Sequence, residues 1–159
     1  MKQFHERKRP SKGVLHLPDR PTIILDTVCM KGKTSWLACD LVHNMLRDVW
    51  LAADAWLVGR YVIMPDHIHF CVTPNLEATT YDNWTKYWKS QFTKAFKKAH
   101  DGQPPPARWQ ENCWHRRLRN NESFEEKWRY IRMNPVRLGL VSKPEDWPYQ
   151  GAIIQISWD

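Results

Sequence analysis

The apolar residues of this chain switch between the two-residue spacing of β-strands and the three-to-four-residue spacing of helices, and the order of these switches is the strongest constraint on the fold. The predicted elements are strands over Thr22–Val28, Leu57–Met64, His67–Val72 and Trp109–Leu118, and helices over Ser35–Ala55, Tyr81–His100 and Ser123–Asn134. In chain order these give β-α-β-β-α-β and then one more helix.

This element order is typical of the ferredoxin-like plan, an antiparallel sheet with both crossover helices on one face. We therefore expect an α+β fold with an added C-terminal helix. Residues 1–20 are basic and contain two prolines and a glycine, which indicates an extended arm. Residues 21–159 are predicted to form a single domain, a size that one hydrophobic core can stabilise.

The composition favours a partner that carries negative charge. The formal net charge is +7 and the chain contains ten tryptophans. Positive charge attracts polyanions, and aromatic rings can stack on unpaired bases, so both features point to nucleic acid. In the alternative interpretation, most tryptophans belong to the core and the charge only maintains solubility.

Several other classes of protein are disfavoured. The four cysteines are scattered without a Cys-x-x-Cys pair, which argues against a zinc ribbon or a redox motif. No apolar run approaches the roughly 20 residues that span a bilayer. The basic N-terminus lacks the apolar segment of a secretory signal, so we expect a cytoplasmic protein.

The strand His67–Val72 alternates strictly between two kinds of side chain. Ile68, Phe70 and Val72 should face the helices, which leaves His67, His69 and Cys71 on the uncovered face. Two imidazoles two residues apart on a strand can bind one divalent ion. Partly exposed histidines without a metal are the alternative. Cys71 could add a zinc ligand, or it could simply be buried.

The predicted helix Ser123–Asn134 brings a tyrosine and an asparagine together. It begins with a capping box between Ser123 and Glu126, and Pro135 limits it. Tyr130 and Asn134 are four residues apart, so their Cβ atoms should lie about 5–6 Å from each other. This spacing suits a nucleophile beside a metal ligand, although a tyrosine that only packs or forms hydrogen bonds is the alternative.

Two segments resemble the single-tyrosine transposases of the HUH nuclease superfamily, especially the REP-associated tyrosine transposases. Val62-Ile-Met-Pro-Asp-His-Ile-His69 is similar to the family's Met-Pro-Asn-His-Val-His element. Tyr130-Ile-Arg-Met-Asn-Pro-Val-Arg-Leu-Gly-Leu-Val141 follows the signature Tyr-Ile-x-x-Asn-Pro-Val-Arg-x-Gly-Leu-Val throughout. Trp109-Gln110 and Asp146-Trp-Pro-Tyr149 also match residues typical of the family, and the resemblance runs from about Pro21 to the end.

The resemblance implies a role for each residue of the site. His67 and His69 would bind Mg²⁺ or Mn²⁺, Asn134 would complete the metal site, and Tyr130 would attack the scissile phosphate. The product would be a 5′-phosphotyrosine that permits strand transfer in DNA transposition. Asp66 stands where the family usually has Asn, and we expect its charge to tune the affinity for the metal.

The resemblance also implies the DNA partner, a single-stranded REP-type palindrome that forms a hairpin. The predicted DNA contacts are Arg7, Lys8, Arg9, Lys12, Lys89, Lys94, Arg116 and Arg117 to phosphates, with Trp114 stacking on a base. A monomer is expected rather than a dimer, acting at the bacterial nucleoid. The competing hypotheses are a non-catalytic nucleic-acid-binding protein derived from a transposase and a metal-dependent hydrolase.

Overall fold

The computed structural model describes residues 23–75, 79–111, 114–118 and 124–156. The strands are β1 Ile24–Cys29, β2 Trp56–Ile63, β3 His67–Pro74, β4 Trp114–Arg117 and β5 Gln150–Ala152. The helices are α1 Asp40–Ala52, α2 Tyr81–Ala99, α3 Phe124–Arg132 and α4 Asn134–Arg137, and a 3₁₀ turn spans Pro144–Asp146. The predicted arm, residues 1–20, and Ser123 of the predicted capping box lie outside the described residues. Within the described ranges, no helix is long and apolar enough to cross a bilayer.

The strands form one antiparallel sheet in the order β4-β1-β3-β2-β5. The first four strands have the arrangement expected of a ferredoxin-like fold, so the predicted α+β class is confirmed. The fifth strand was not predicted. It consists of three residues that pair with the edge of β2 and carries little strand signal of its own.

The ends of one helix and one strand differ from the predicted ends. The helix α1 begins at Asp40 instead of Ser35, because the preceding Leu37 is buried and its amide donates to the carbonyl of Pro65. The predicted strand Trp109–Leu118 is shorter in the structure: β4 spans Trp114–Arg117, and Trp109 forms only an isolated bridge with Met30.

The predicted helix Ser123–Asn134 is also wrong in its C-terminal boundary. The structure has two helices, α3 and α4, with Met133 between them. Pro135 has no amide hydrogen to continue the helical ladder, which accounts for the interruption.

Each face of the sheet has its own apolar cluster. On one face, α1 and α2 pack against β1, β2 and β3, and the ring of Phe70 lies against Trp50, Trp84 and Trp88. On the other face, Phe124 and Trp128 of α3 pack with residues of β2, β3 and the C-terminal segment. The expectation of an uncovered second face is therefore wrong, since α3 covers part of it.

Most of the tryptophans whose side chains are described are packed in the hydrophobic core. Among the residues whose side chains are described, six tryptophans are buried, and Trp36 and Trp109 are partly buried. These rings are therefore not available as stacking platforms, which favours the core interpretation of the tryptophan content. The side chain of Trp114 lies outside the described part of the chain.

Candidate active site

His67 and His69 project from β3 on the face opposite α1 and α2, as the alternation predicts. Their neighbours Ile68 and Phe70 are fully buried in the cluster beneath the helices. The two imidazole rings are perpendicular, and their Nε2 atoms lie 3.1 Å apart. The strand thus presents two nitrogen ligands to one point.

The remaining nitrogen of each ring is held by a neighbour. The Nδ1 of His67 donates to Asp66 Oδ1 at 2.6 Å, and the Nδ1 of His69 lies 2.9 Å from Thr27 Oγ1. Thr27 is opposite His69 in the β1–β3 register. Because a hydroxyl can donate or accept, Thr27 suits either tautomer of His69. Such partners fix the ring orientation of metal-ligating histidines.

His69 is held in its neutral form. Burial, together with smaller contributions from the neighbouring His67 and Arg137, lowers the pKa of His69 to about 3. A metal ligand must be the neutral imidazole. His69 therefore needs no deprotonation before it binds a cation near neutral pH.

The separation of the two imidazole nitrogens is compatible with a shared divalent ion. Adjacent ligands of an octahedral ion with bonds of about 2.1 Å lie about 3.0 Å apart, close to the 3.1 Å between the imidazole nitrogens. Cys71 is fully buried, its sulfur accepts from the amide of Arg60, and burial raises the pKa of its thiol to about 12. Within the described ranges, no group of three or more His, Cys, Asp or Glu could hold a metal. Any further ligands would be amide, water or phosphate oxygens.

Arg137 links Tyr130 to Asn134. Its guanidinium carbon lies 4.0 Å from the centre of the Tyr130 ring, and its Nη2 donates to the Tyr130 carbonyl at 2.8 Å and to Asn134 Oδ1 at 2.7 Å. The Tyr130 side chain is 69% exposed and so accessible to a large substrate. The charge of Arg137 also contributes to the lowered pKa of His69, so Arg137 acts electrostatically on the histidine pair.

Arg137 and Thr27 were not predicted as site residues. Arg137 belongs to the signature segment and follows Asn134 by three residues, so its helical spacing from Asn134 could have suggested it. The position of Thr27 depends on the pairing of β1 with β3, for which the sequence offers no local signal. Asn134 remains a predicted metal ligand, and its side-chain oxygen already accepts from Arg137.

The tyrosine helix is fixed by contacts within the same chain. Phe124 and Trp128 are buried in the cluster on the histidine face. Arg60 of β2 makes two hydrogen bonds of 2.9 Å to the carboxylate of Glu125, and this ion pair lowers the pKa of Glu125. The position of Tyr130 therefore follows from the docking of α3 on its own sheet.

The four predicted DNA contacts whose side chains the structure describes do not gather at this site. Lys89 and Lys94 lie on α2, on the opposite side of the sheet, and Arg116 and Arg117 are exposed on the edge strand β4. The four basic residues between Arg7 and Lys12 lie outside the described residues, as does the side chain of Trp114.

No family model matches the chain. A curated relative, the REP-associated tyrosine transposase of Escherichia coli K12, is 30% identical over 95 residues, covering 58% of this chain and 52% of the relative. A Haemophilus influenzae Rd protein provisionally given the same name is 31% identical over 94 residues, or 55% of this chain and 53% of that protein. The chain thus spans about half the length of the curated relatives it matches.

Solved structures agree on the fold. The structure of a REP-associated tyrosine transposase bound to a REP hairpin matches with a TM-score of 0.66 at 24% identity, covering 89% of this chain and 82% of that one. A provisionally named transposase from Deinococcus radiodurans gives a TM-score of 0.51 at 16% identity, over 77% and 95% of the two chains. The comparisons confirm the resemblance predicted from the two sequence segments: in sequence and in fold, this chain is similar to the REP-associated tyrosine transposases.

Proposed function

We propose that the chain is a metal-dependent nuclease and strand transferase that acts on single-stranded, hairpin-forming DNA of the REP type. The observation that carries the proposal is the pair of imidazole nitrogens 3.1 Å apart, on the face of the sheet to which the tyrosine helix docks. The names of the two curated relatives and the hairpin bound to the solved transposase support the choice of substrate.

The residues at the site divide the work between holding an ion and presenting a nucleophile. His67 and His69 would hold Mg²⁺ or Mn²⁺, with Asn134 as a third ligand. Bound there, the ion would polarise the oxygens of the scissile phosphate. Asp66 and Thr27 keep the two rings aligned by holding their outer nitrogens.

Tyr130 acts as the nucleophile. Its phenolic oxygen forms a bond to phosphorus while the bond from phosphorus to the 3′ oxygen breaks, and the phenolic proton ends on that oxygen. The products are a 5′-phosphotyrosine and a free 3′-OH, and attack by another 3′-OH reverses the step and joins strands. Arg137 keeps the Tyr130 ring in place by stacking on it, and its charge favours the approach of a phosphate. Because α3 is docked on its own sheet, we propose that a monomer does this chemistry in cis.

The test is a covalent adduct with hairpin DNA. A hairpin with a 3′-end label, incubated with Mn²⁺ or Mg²⁺ and then denatured, should leave labelled DNA on the protein, and EDTA should prevent this. Tyr130→Phe should abolish the adduct. Tyr87→Phe, which changes another exposed tyrosine on α2, should not.

The other outcomes separate the competing functions. Cleavage that survives Tyr130→Phe would overturn the nucleophile and favour hydrolysis. Hairpin binding without cleavage or adduct under any metal would favour the non-catalytic nucleic-acid-binding protein. His67→Ala and His69→Ala should abolish the adduct, whereas His100→Ala at the end of α2 should retain it.

A further inference from the structure

A groove of about 1020 Å³ lies between α2 and the segment Pro104–Glu111. It is on the sheet face opposite the histidine pair, since Trp88 of α2 packs against Phe70 and the alternation of β3 directs His67 and His69 the other way. The groove is therefore separate from the site to which the proposed function assigns the chemistry.

The lining of the groove is basic and rich in hydroxyl groups. Its basic side chains are Lys86, Lys89, Lys97 and Arg108, its acidic ones are Asp82 and Glu111, and its hydroxyl side chains include Thr85, Ser90 and Thr93. Lysine, arginine and hydroxyl side chains are the groups that contact phosphate and sugar in protein–DNA complexes, and such contacts position a nucleic acid without reading its sequence. Trp109 also lines the groove, but its ring packs against Trp88 and Phe92 and cannot act as a free stacking platform.

The groove is too small to enclose a double helix, whose major groove alone is about 12 Å wide. A segment of one sugar–phosphate backbone is of a size to lie along it.

The groove also lies beside the sheet edge that leads to the catalytic face. His115 of the edge strand β4 lines it, and the next two residues, Arg116 and Arg117, are exposed on that edge. The histidine pair lies on β3, two strands in from β4, a lateral distance of about 10 Å at about 4.8 Å per strand. Basic residues thus continue from the groove around the edge towards the active site.

We infer that this groove is a second nucleic-acid site, which holds the backbone of an unpaired DNA strand independently of base sequence and leads it around β4 to the catalytic face. The inference rests on the proposed function for the choice of DNA as the polymer. It also separates Lys89, which lines the groove, from Lys94, which does not.

The test compares two pairs of lysines on one helix. Binding of fluorescein-labelled oligo-dT, which forms no hairpin, is measured by anisotropy in EDTA for Lys86→Gln/Lys97→Gln and for Lys94→Gln/Lys98→Gln. All four residues are exposed on α2, but only the first pair lines the groove. Two lost phosphate contacts should lower the slope of log affinity against log salt by about 1.4 and weaken binding about 25-fold at 0.1 M salt. The second pair should bind almost as the wild type does.

Either of two results would overturn the inference: equal weakening of oligo-dT binding by both pairs, or no weakening by the groove pair. The adduct assay with hairpin DNA keeps the two proposals apart. If the groove pair binds oligo-dT normally while the wild type still forms the Tyr130 adduct, the groove inference fails and the proposed function stands.

Discussion

Replacing Asp66 by Asn should weaken the binding of Mn²⁺ about tenfold. Asp66 Oδ1 accepts from the Nδ1 of His67 at 2.6 Å, and the Asn side chain can keep that hydrogen bond because it retains an oxygen acceptor. The substitution therefore removes one negative charge and leaves the geometry of the imidazole in place. It also introduces the residue that stands at this place in the Met-Pro-Asn-His-Val-His element that the segment resembles.

The magnitude follows from the distance between the charges. From the carboxylate through the imidazole ring, the path to an ion on Nε2 is about 7 Å, given the 2.6 Å hydrogen bond and a metal bond of about 2.1 Å. At this distance the attraction between a single negative charge and a divalent ion is about 1.2 kcal/mol in a water-like medium, and its loss would lower the affinity about eightfold. Loss of an outer partner of a ligating histidine typically costs 10- to 100-fold. The lower end applies because the Asp66 side chain is 53% exposed.

Isothermal titration with Mn²⁺ in the absence of DNA measures the effect without relying on activity. Asp54→Asn is the matched control, because this exposed aspartate lies next to the start of β2, at the opposite end of the strands from His67. The difference in Mn²⁺ affinity between wild type and Asp66→Asn should shrink as salt is raised from about 0.05 to about 0.5 M, because salt screens the interaction between exposed charges. Equal affinities for wild type and Asp66→Asn at low salt, or an equal loss in Asp54→Asn, would refute the reasoning.

Two further predictions concern stability. Burial raises the pKa of Asp26 to about 7, so the folded protein keeps a proton that the unfolded chain loses, and the free energy of unfolding should fall as pH rises from about 4 to 7. Asp26→Asn should remove this part of the pH dependence in urea titrations, and an unchanged profile would contradict the assignment. A Cβ at Gly59 would lie 2.6 Å from Ile156 Cδ1 and 2.8 Å from Cys71 Sγ, so Gly59→Ala should cost about 1–3 kcal/mol by urea denaturation. Ile156→Ala should be less costly in that background than in the wild type, and additive losses would show that the contact with Ile156 is not the cause.

Features of the site that depend on neighbouring residues were predictable from the sequence. The two faces of β3 follow from the pleat of a single strand, so the separation of His69 from Phe70 needed no knowledge of the fold. The proximity of Tyr130 and Asn134 follows from helical spacing, although Pro135 divides the helix that was expected to carry both.

Features that depend on distant pairing were not predictable. Thr27 meets His69 only because β1 and β3 pair in a particular register, across 42 residues of chain. Phe124 and Trp128 of α3 pack on the histidine face, and no local feature of the sequence identifies that face as their partner. The contact of Arg60 with Glu125 spans 65 residues and likewise follows from the docking of that helix.

The strict alternation of β3 has a consequence for the way the protein can vary. A shift of the strand by one residue would move Phe70 to the histidine face and bury the imidazoles among tryptophans, since each step along a strand reverses the side. A single-residue insertion or deletion within His67–Pro74 would therefore destroy the core and the site together. During refolding, binding of a divalent ion by the two imidazoles would then indicate that β3 has paired in the correct register. In homologous chains, insertions and deletions should fall outside this strand.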